Sequence, residues 1–315
     1  MKLVIQIPCY NEAATLGATI ADLPKQIQGI EEIEVIVIDD GSTDETDDVA
    51  RRAGVDQIAR SPVNQGLARA FSEGLDVALQ RGADIVVNTD GDNQYPGDAI
   101  ALLIAPILHG EADVVIGNRD PHRLQHFSLI KRALQYLGSW VVRGLSGTTV
   151  PDTTSGFRAF SRRAALRMNV VSDFTYTLET IIQAGKKNLF VTHVDIEANV
   201  VTRPSRLFRG IGSYVAQSAG TLVRIYALYN PMRVFALLGG LLLFAGGAIG
   251  ARFTYYYFTT GGSGHVQSLI LAAVLLLAGF QALLFGLMAD LLASSRRMLE
   301  DALVRIRKLE LGDTK

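Results

Sequence analysis

A single cysteine, Cys9, occurs in 315 residues, so no internal disulfide is available and a disulfide-stapled extracellular scaffold is excluded. Charged residues make up only 19%, whereas apolar residues reach 49%. That balance excludes an intrinsically disordered chain. No Gly-x-Gly-x-x-Gly follows the first apolar run, and no Gly-x-x-x-x-Gly-Lys-Ser/Thr occurs anywhere, which removes the usual dinucleotide and P-loop sites. Acids are missing altogether between Glu197 and Asp290, yet Arg203, Arg206, Arg209, Arg224, Arg233 and Arg252 fall in that interval. The formal net charge is −1, so nothing marks the chain as a nucleic-acid binder.

The near-zero net charge is a sum of opposites. Residues 1–60 carry twelve acids against five bases, and the later part is basic. Such asymmetry points to a membrane or an anionic ligand near the basic part. Two stretches suit a bilayer. Val234 to Ala251 has no formal charge and continues past Arg252 to Phe258, and a second uncharged run covers Val266 to Ala289. Each meets the roughly 18–20 residues that a helix needs to cross the hydrocarbon core. Thr259–His265 is too short for anything but a tight hairpin. Tyr255–Tyr257 suit an interfacial aromatic belt, and Arg252 can snorkel to the same level. Gly239-Gly240 and Gly246-Gly247 favour close helix packing in a membrane hairpin over a pair of buried core helices. Arg224 and Arg233 precede the first span, and Arg296, Arg297, Arg305, Arg307 and Lys308 follow the second. The connecting loop has no Lys or Arg, which places both termini in the cytoplasm. The N-terminal apolar run is cut by Pro8 and Asn11-Glu12, unlike a signal peptide.

Upstream, Leu3–Ile7, Glu34–Ile38, Asp84–Asn88 and Ala112–Ile116 are short, β-branched-rich runs separated by amphipathic segments. They predict βαβ units and a largely parallel sheet, an α/β domain. The runs end in polar residues: Pro8-Cys9-Tyr10-Asn11-Glu12, Asp39-Asp40-Gly41-Ser42 and Thr89-Asp90-Gly91-Asp92-Asn93-Gln94. Open α/β sheets bind ligands at the carboxyl ends of their strands, so the acidic clusters are expected to converge. Asp90-x-Asp92 suits a hard divalent cation, Mg²⁺ or Mn²⁺, bridging a diphosphate, with Gln94 beside it. An EF-hand is excluded because Tyr95 stands where its glycine belongs. Ser42-x-x-Glu45 is a candidate capping box. His122 and His126 lack a third zinc ligand and suit an interface, while Cys9 suits a packed core position.

Ile7-Pro8-x-Tyr10-Asn11-Glu12, Val37-x-Asp39-Asp40-Gly41-Ser42-x-Asp44, Asn64-x-Gly66, Asp90-Gly91-Asp92-x-Gln94 and Ser155-Gly156-Phe157-Arg158 occur in order. As a set they resemble glycosyltransferase family 2 with a GT-A (Rossmann-like nucleotide-diphospho-sugar transferase) fold. Within that family they resemble the polyprenyl-phosphate glycosyltransferases of the dolichyl-phosphate mannose synthase and bactoprenol glucosyltransferase type. Asn93 and Leu67 depart from the common pattern, in which leucine and lysine are frequent. The resemblance implies that Pro8, Tyr10, Glu12, Asp39, Asp40 and Asp90 line the donor nucleotide pocket. It implies that Asp90, Asp92 and Gln94 hold the metal and that Arg119 lies near the donor sugar and phosphates. Arg132, Arg203 and Arg206 match positions used near the acceptor phosphate; Asp92, Arg119 and Arg132 would carry the transfer. Glu179 is a candidate to orient the sugar or an arginine, against a solvated helix face.

The expected organisation is a cytoplasmic GT-A domain at 1–204, including an interfacial amphipathic helix at 122–146. A juxtamembrane amphipathic helix at 205–231 follows, then a transmembrane hairpin at 232–293 (spans 234–258 and 266–289) and a basic cytoplasmic tail at 294–315. The expected activity is metal-dependent, inverting transfer of a hexose from a nucleotide sugar to a polyprenyl phosphate at a bacterial or archaeal plasma membrane. UDP-sugars such as UDP-glucose are slightly favoured over GDP-mannose. A homo-oligomer, with a tetramer among the options, is implied by the resemblance alone. A cellulose- or hyaluronan-type polysaccharide synthase is the nearest alternative, but its Gln-x-x-Arg-Trp motif is absent: the only tryptophan, Trp140, follows Ser139. A non-catalytic sugar-binding scaffold is the other.

Overall fold

The structure is a computed structural model that describes residues 1–119, 143–144, 146–170, 176–199, 220, 226–227, 229–261 and 266–312. The chain divides into two compact units, one of residues 1–222 with 304–315 and one of residues 223–303.

The first unit is built on a seven-stranded sheet. In chain order, the described elements are β1 (Lys2–Cys9), α1 (Leu16–Asp22), β2 (Glu32–Asp39), α2 (Thr46–Ala53), β3 (Gln57–Arg60) and α3 (Leu67–Gln80). They continue as β4 (Ile85–Asn88), α4 (Ala99–Leu108), β5 (Val114–Asn118), β6 (Arg158–Ser161), α5 (Arg162–Arg167), α6 (Tyr176–Lys186) and β7 (Val191–Asp195). The strand order is β3-β2-β1-β4-β6-β5-β7. β1, β2, β3 and β4 pair in parallel, β6 alone runs against its neighbours β4 and β5, and β7 is parallel to β5. Leu3, Val4, Ile5 and Ile7 of β1 and Val86 and Val87 of β4 are wholly buried, as strands covered on both faces must be. The order in which strands are added reverses between β1 and β4, and such switch points form the crevice where open α/β sheets bind ligands. This is the GT-A arrangement.

All four strands expected from apolar runs are present. Their ends extend to include Pro8, Cys9, Asp39 and Asn118. β3, β6 and β7 were not expected. The capping box is not formed. Ser42 turns inward to accept from the Asn11 backbone N–H at 2.9 Å, and Glu45 is an exposed ion-pair partner of Arg52. Asp44 takes over the start of α2, with Oδ1 accepting from the Thr46 backbone N–H at 3.0 Å. Glu179 is buried rather than solvated, and Gln183 Nε2 donates to it at 3.1 Å.

The second unit contains α7 (Pro231–Thr260) and most of α8 (Val266–Glu310), both long and apolar enough to cross a membrane. Glycines bring them together. A Cβ on Gly239 would lie 2.9 Å from the Gly279 carbonyl oxygen, and one on Gly246 would lie 3.1 Å from that of Ala272. Outward-facing Leu237, Phe244, Phe258, Leu277, Phe280 and Leu284 are exposed, as lipid-facing side chains would be. The amphipathic stretches expected at 122–146 and 205–231 lie almost wholly outside the described residues.

Candidate active site

The carboxyl ends of β1, β2, β4 and β5 converge on one crevice. At the end of β2, Asp40 is buried and grips the next loop: its Oδ1 accepts from Gln65 N–H at 2.7 Å and its Oδ2 from Gly66 N–H at 2.8 Å. Asp39 is wholly buried. Its Oδ1 accepts from Ser42 N–H at 2.8 Å, while Oδ2 has no hydrogen-bond donor and only the Arg60 guanidinium at 3.3 Å. Gly41, at φ 72°, allows this turn to sit against the Val63 backbone, where a Cβ would lie 2.5 Å from the carbonyl carbon. Tyr10 is exposed at the β1 end. Asn11 Oδ1 accepts from Thr43 N–H at 2.8 Å, tying the first two strand ends together. Thr15 Oγ1 lies 3.1 Å from Glu12 Oε2 and 2.8 Å from the Gly91 carbonyl, bringing the β1 end to the β4 loop.

Asp90 and Asp92 lie on that loop. Burial pushes the Asp90 carboxyl up to about 7, and the neighbouring Asp92 and Glu12 charges push the same way against Arg119 and Arg158. The backbone approaches it closely: a Cβ on Gly156 would sit 2.8 Å from Asp90 Oδ1. Asp92 Oδ1 accepts from Gln94 N–H at 3.1 Å, and Asn199 fastens the loop from the other side through Gln94 O and Asn93 O. Among the described residues no three His, Cys, Asp or Glu side chains gather as a closed metal cage. Two adjacent carboxylates with open positions are nevertheless the donor set of a hard cation that takes its remaining ligands from water and phosphate oxygens. The crowded, desolvated Asp90 carboxyl fits such a cation.

Arg119 follows β5. Its Nε donates to Asp152 Oδ2 at 2.8 Å, and its Nη2 reaches Asp152 Oδ1 at 3.3 Å and Thr154 Oγ1 at 3.1 Å. The guanidinium lies over the Tyr95 ring at 5.9 Å from its centre. Burial tends to raise the Asp152 carboxyl, but the Arg119 charge outweighs it and holds the group below the ordinary carboxylate value. The Arg119 positive charge is held in place, which suits it to face phosphate oxygens. Asp152, Thr154 and Tyr95 were missed as supports of this arginine. The only sequence signal was Asp152 standing three residues before the Ser155-Gly156-Phe157-Arg158 motif.

The structure therefore brings together Pro8, Tyr10, Glu12, Asp39, Asp40, Asp90, Asp92, Gln94 and Arg119 at strand ends and their following loops. Arg132, Arg203 and Arg206 lie outside the described residues, as do His122 and His126.

Residues 4–167 match the family model described as Glycosyl transferase family 2. The chain is 28% identical over 314 residues to glycosyltransferase AglJ of Haloferax volcanii, covering 97% of each protein. It is 28% identical over 194 residues to a dolichyl-phosphate hexose transferase of the same organism, covering 62% of this chain and 81% of that one. Among solved structures, glucosyl-3-phosphoglycerate synthase from Mycobacterium tuberculosis, in complex with Mn²⁺, UDP and phosphoglyceric acid, superposes with a TM-score of 0.58. That match has 22% identity and covers 71% of this chain and 78% of the other. With the family's motifs on the strand ends of its sheet and more than half its length matched, this chain belongs to glycosyltransferase family 2.

Proposed function

We propose that the protein transfers a hexose from a nucleotide sugar to a polyprenyl phosphate, with inversion at the anomeric carbon. The observation that carries this reading is the crevice in which the Asp90-x-Asp92 loop meets Arg119, clamped by Asp152, in a chain with two membrane-length helices. The names of the relatives support it, above all the dolichyl-phosphate hexose transferase.

In this reading Pro8, Tyr10, Glu12, Asp39 and Asp40 hold the nucleotide, while Asp90, Asp92 and Gln94 hold Mg²⁺ or Mn²⁺. The cation, when bound, neutralises the leaving diphosphate. Arg119 adds a fixed positive charge to the donor phosphates as charge builds on them. Arg132, Arg203 and Arg206 hold the acceptor phosphate at the membrane surface. The acceptor oxygen is already largely ionised at neutral pH, since the second pKa of a phosphate monoester lies near ~6. The chain therefore supplies orientation and electrostatics, with no general base required. α7 and α8 anchor the enzyme, with the catalytic domain and both termini on the cytoplasmic side.

The test is label transfer in membranes containing the full chain, given radiolabelled nucleotide sugars, a polyprenyl phosphate and Mn²⁺. The reading expects a short lipid-linked sugar, loss of product with EDTA, and at least a hundredfold drop for Asp92→Asn. Full activity in Asp92→Asn, or a polysaccharide formed without lipid, overturns it. Thermal shifts across UDP- and GDP-sugars decide the donor, with a UDP-hexose giving the larger shift.

A further inference from the structure

Arg158 opens β6 and is wholly buried, yet among the described residues its guanidinium forms no ion pair with a carboxylate. Four uncharged oxygens surround it instead. Nε donates to Ser155 O at 2.8 Å, Nη2 to Thr153 O at 3.0 Å, and Nη1 to both Thr177 O and Thr180 Oγ1 at 2.6 Å. Burial lowers its pKa to about 10, which still leaves it charged at neutral pH. A buried cation whose hydrogen bonds, among the described residues, all go to neutral acceptors is costly, so its geometry calls for a reason beyond packing.

The acceptors supply one. Thr153 and Ser155 belong to the loop that carries Asp152 and Thr154, the two side chains holding Arg119. Thr177 and Thr180 belong to α6. The planar fork of Arg158 therefore fastens that loop to a helix, with Nε and Nη2 on the loop and Nη1 on α6. Neighbouring bonds complete the frame: Tyr95 Oη accepts from Gly156 N–H at 3.1 Å, and Asn88 Nδ2 donates to Gly156 O at 2.8 Å.

We propose that Arg158 is a positioning residue for sugar transfer, locking the 152–156 loop to α6 so that Asp152 and Thr154 hold Arg119 in its working position. The inference rests on the reading of Arg119 as a transfer-site residue. The hydrogen bonds of Arg158 among the described residues go to the 153–155 segment and α6 and none to the nucleotide-facing groups on β1 and β2, so donor binding should change little.

The experiment compares Arg158→Lys, Arg119→Lys and the double variant as full chains in detergent, with kcat and donor KM measured by label transfer. Lysine keeps the charge of Arg158 but cannot make all four bonds to the loop and the helix at once. Arg158→Lys should lower kcat at least tenfold, with donor KM within threefold of the wild type. The double variant should be no slower than Arg119→Lys within twofold, because both changes act through one group. Hydrogen exchange on the same chains should show faster exchange at the 154–157 amides of Arg158→Lys, with β1 amides unchanged. Wild-type kcat in Arg158→Lys, losses that multiply in the double variant, or unchanged loop exchange each overturn the proposal. If Arg158→Lys fails to fold, Thr180→Val removes one acceptor and should give a severalfold, non-multiplying loss of kcat; its absence is equally decisive. If the wild type transfers no sugar, the functional reading alone fails, and the exchange arm still decides what Arg158 holds.

Discussion

At the residue scale, the site depends on small distances that no substitution table shows. Gly156 is one example. With a Cβ 2.8 Å from Asp90 Oδ1 and 2.9 Å from the Tyr176 hydroxyl, Gly156→Ala must displace the carboxyl or the loop. Neither neighbour is the free end of a flexible chain, since Tyr176 is wholly buried and stacked on Phe71 at 4.0 Å. The expected outcome is at least a tenfold loss of Mn²⁺ affinity, measured by calorimetry with UDP present, in a protein that still melts cooperatively. Unaltered affinity would show that Asp90 has room to move. The acidic motif residues could be read along the chain because each stands at the end of an apolar run. Asp152 could not: its partner Arg119 is distant in sequence, and only the pairing of β5 with β6 brings the two loops together. The choice between two readings of Glu179 stayed open for a similar reason. Sequence alone could not separate a residue orienting the sugar or an arginine from one on a solvated face; α6 is buried along most of its length, which removes the solvated face.

At the scale of elements, legibility followed hydrophobicity. β1, β2, β4 and β5 are rich in valine and isoleucine and were visible; β3 (Gln57–Arg60) and β7 (Val191–Asp195) carry too many polar side chains for an apolar pattern to emerge. Both are edge strands, only partly buried, so their composition is under less demand. The start of β2 is tied to α3 by charge rather than burial. Glu34 is ion-paired with Arg81, which follows α3, and with Lys2 at 2.6 Å. Its hydrogen bonds from Arg81, with help from Lys2, outweigh burial and bring its carboxyl down to about 2. A carboxyl lowered on folding stabilises the protein above its unfolded value near 4.5 and loses that contribution as pH falls through about 2. Glu34→Gln should therefore cost on the order of 1–2 kcal/mol at neutral pH, allowing for the part-exposed Arg81. The difference from wild type should close between pH 4.5 and 2, as followed by urea midpoints. An equal deficit across that window would assign the loss to packing.

At the scale of the molecule, the two units obey different solvents. The first buries its apolar side chains in a two-sided sheet, whereas α7 and α8 expose theirs, as helices suited to lipid would. Alkaline carbonate should therefore leave the full chain in the membrane pellet and detergent should release it; release by carbonate would argue against a spanning hairpin. α8 also runs beyond its apolar stretch to Glu310, and residues from 304 onward belong with the first unit. There Arg307 Nη1 donates to Met168 O at 2.9 Å and Leu166 O at 3.3 Å, while Nη2 pairs with Asp76 at 3.1 Å. Arg307→Ala should destabilise the first unit by about 1–3 kcal/mol, since it strips bonds from partly buried acceptors. Intrinsic fluorescence melts of the full chain would register it, and an unchanged midpoint would make the contact incidental. Composition and order were enough to establish a parallel α/β domain, acidic strand ends, a D-x-D pair and two membrane-length helices, because hydrophobic period and motif spacing act locally along the chain. Tertiary structure alone decided which carboxylate is desolvated, what clamps Arg119, which groups hold the buried Arg158 and where the end of α8 docks. Each of those depends on side chains far apart in sequence, held at hydrogen-bonding distance by strand pairing and helix packing.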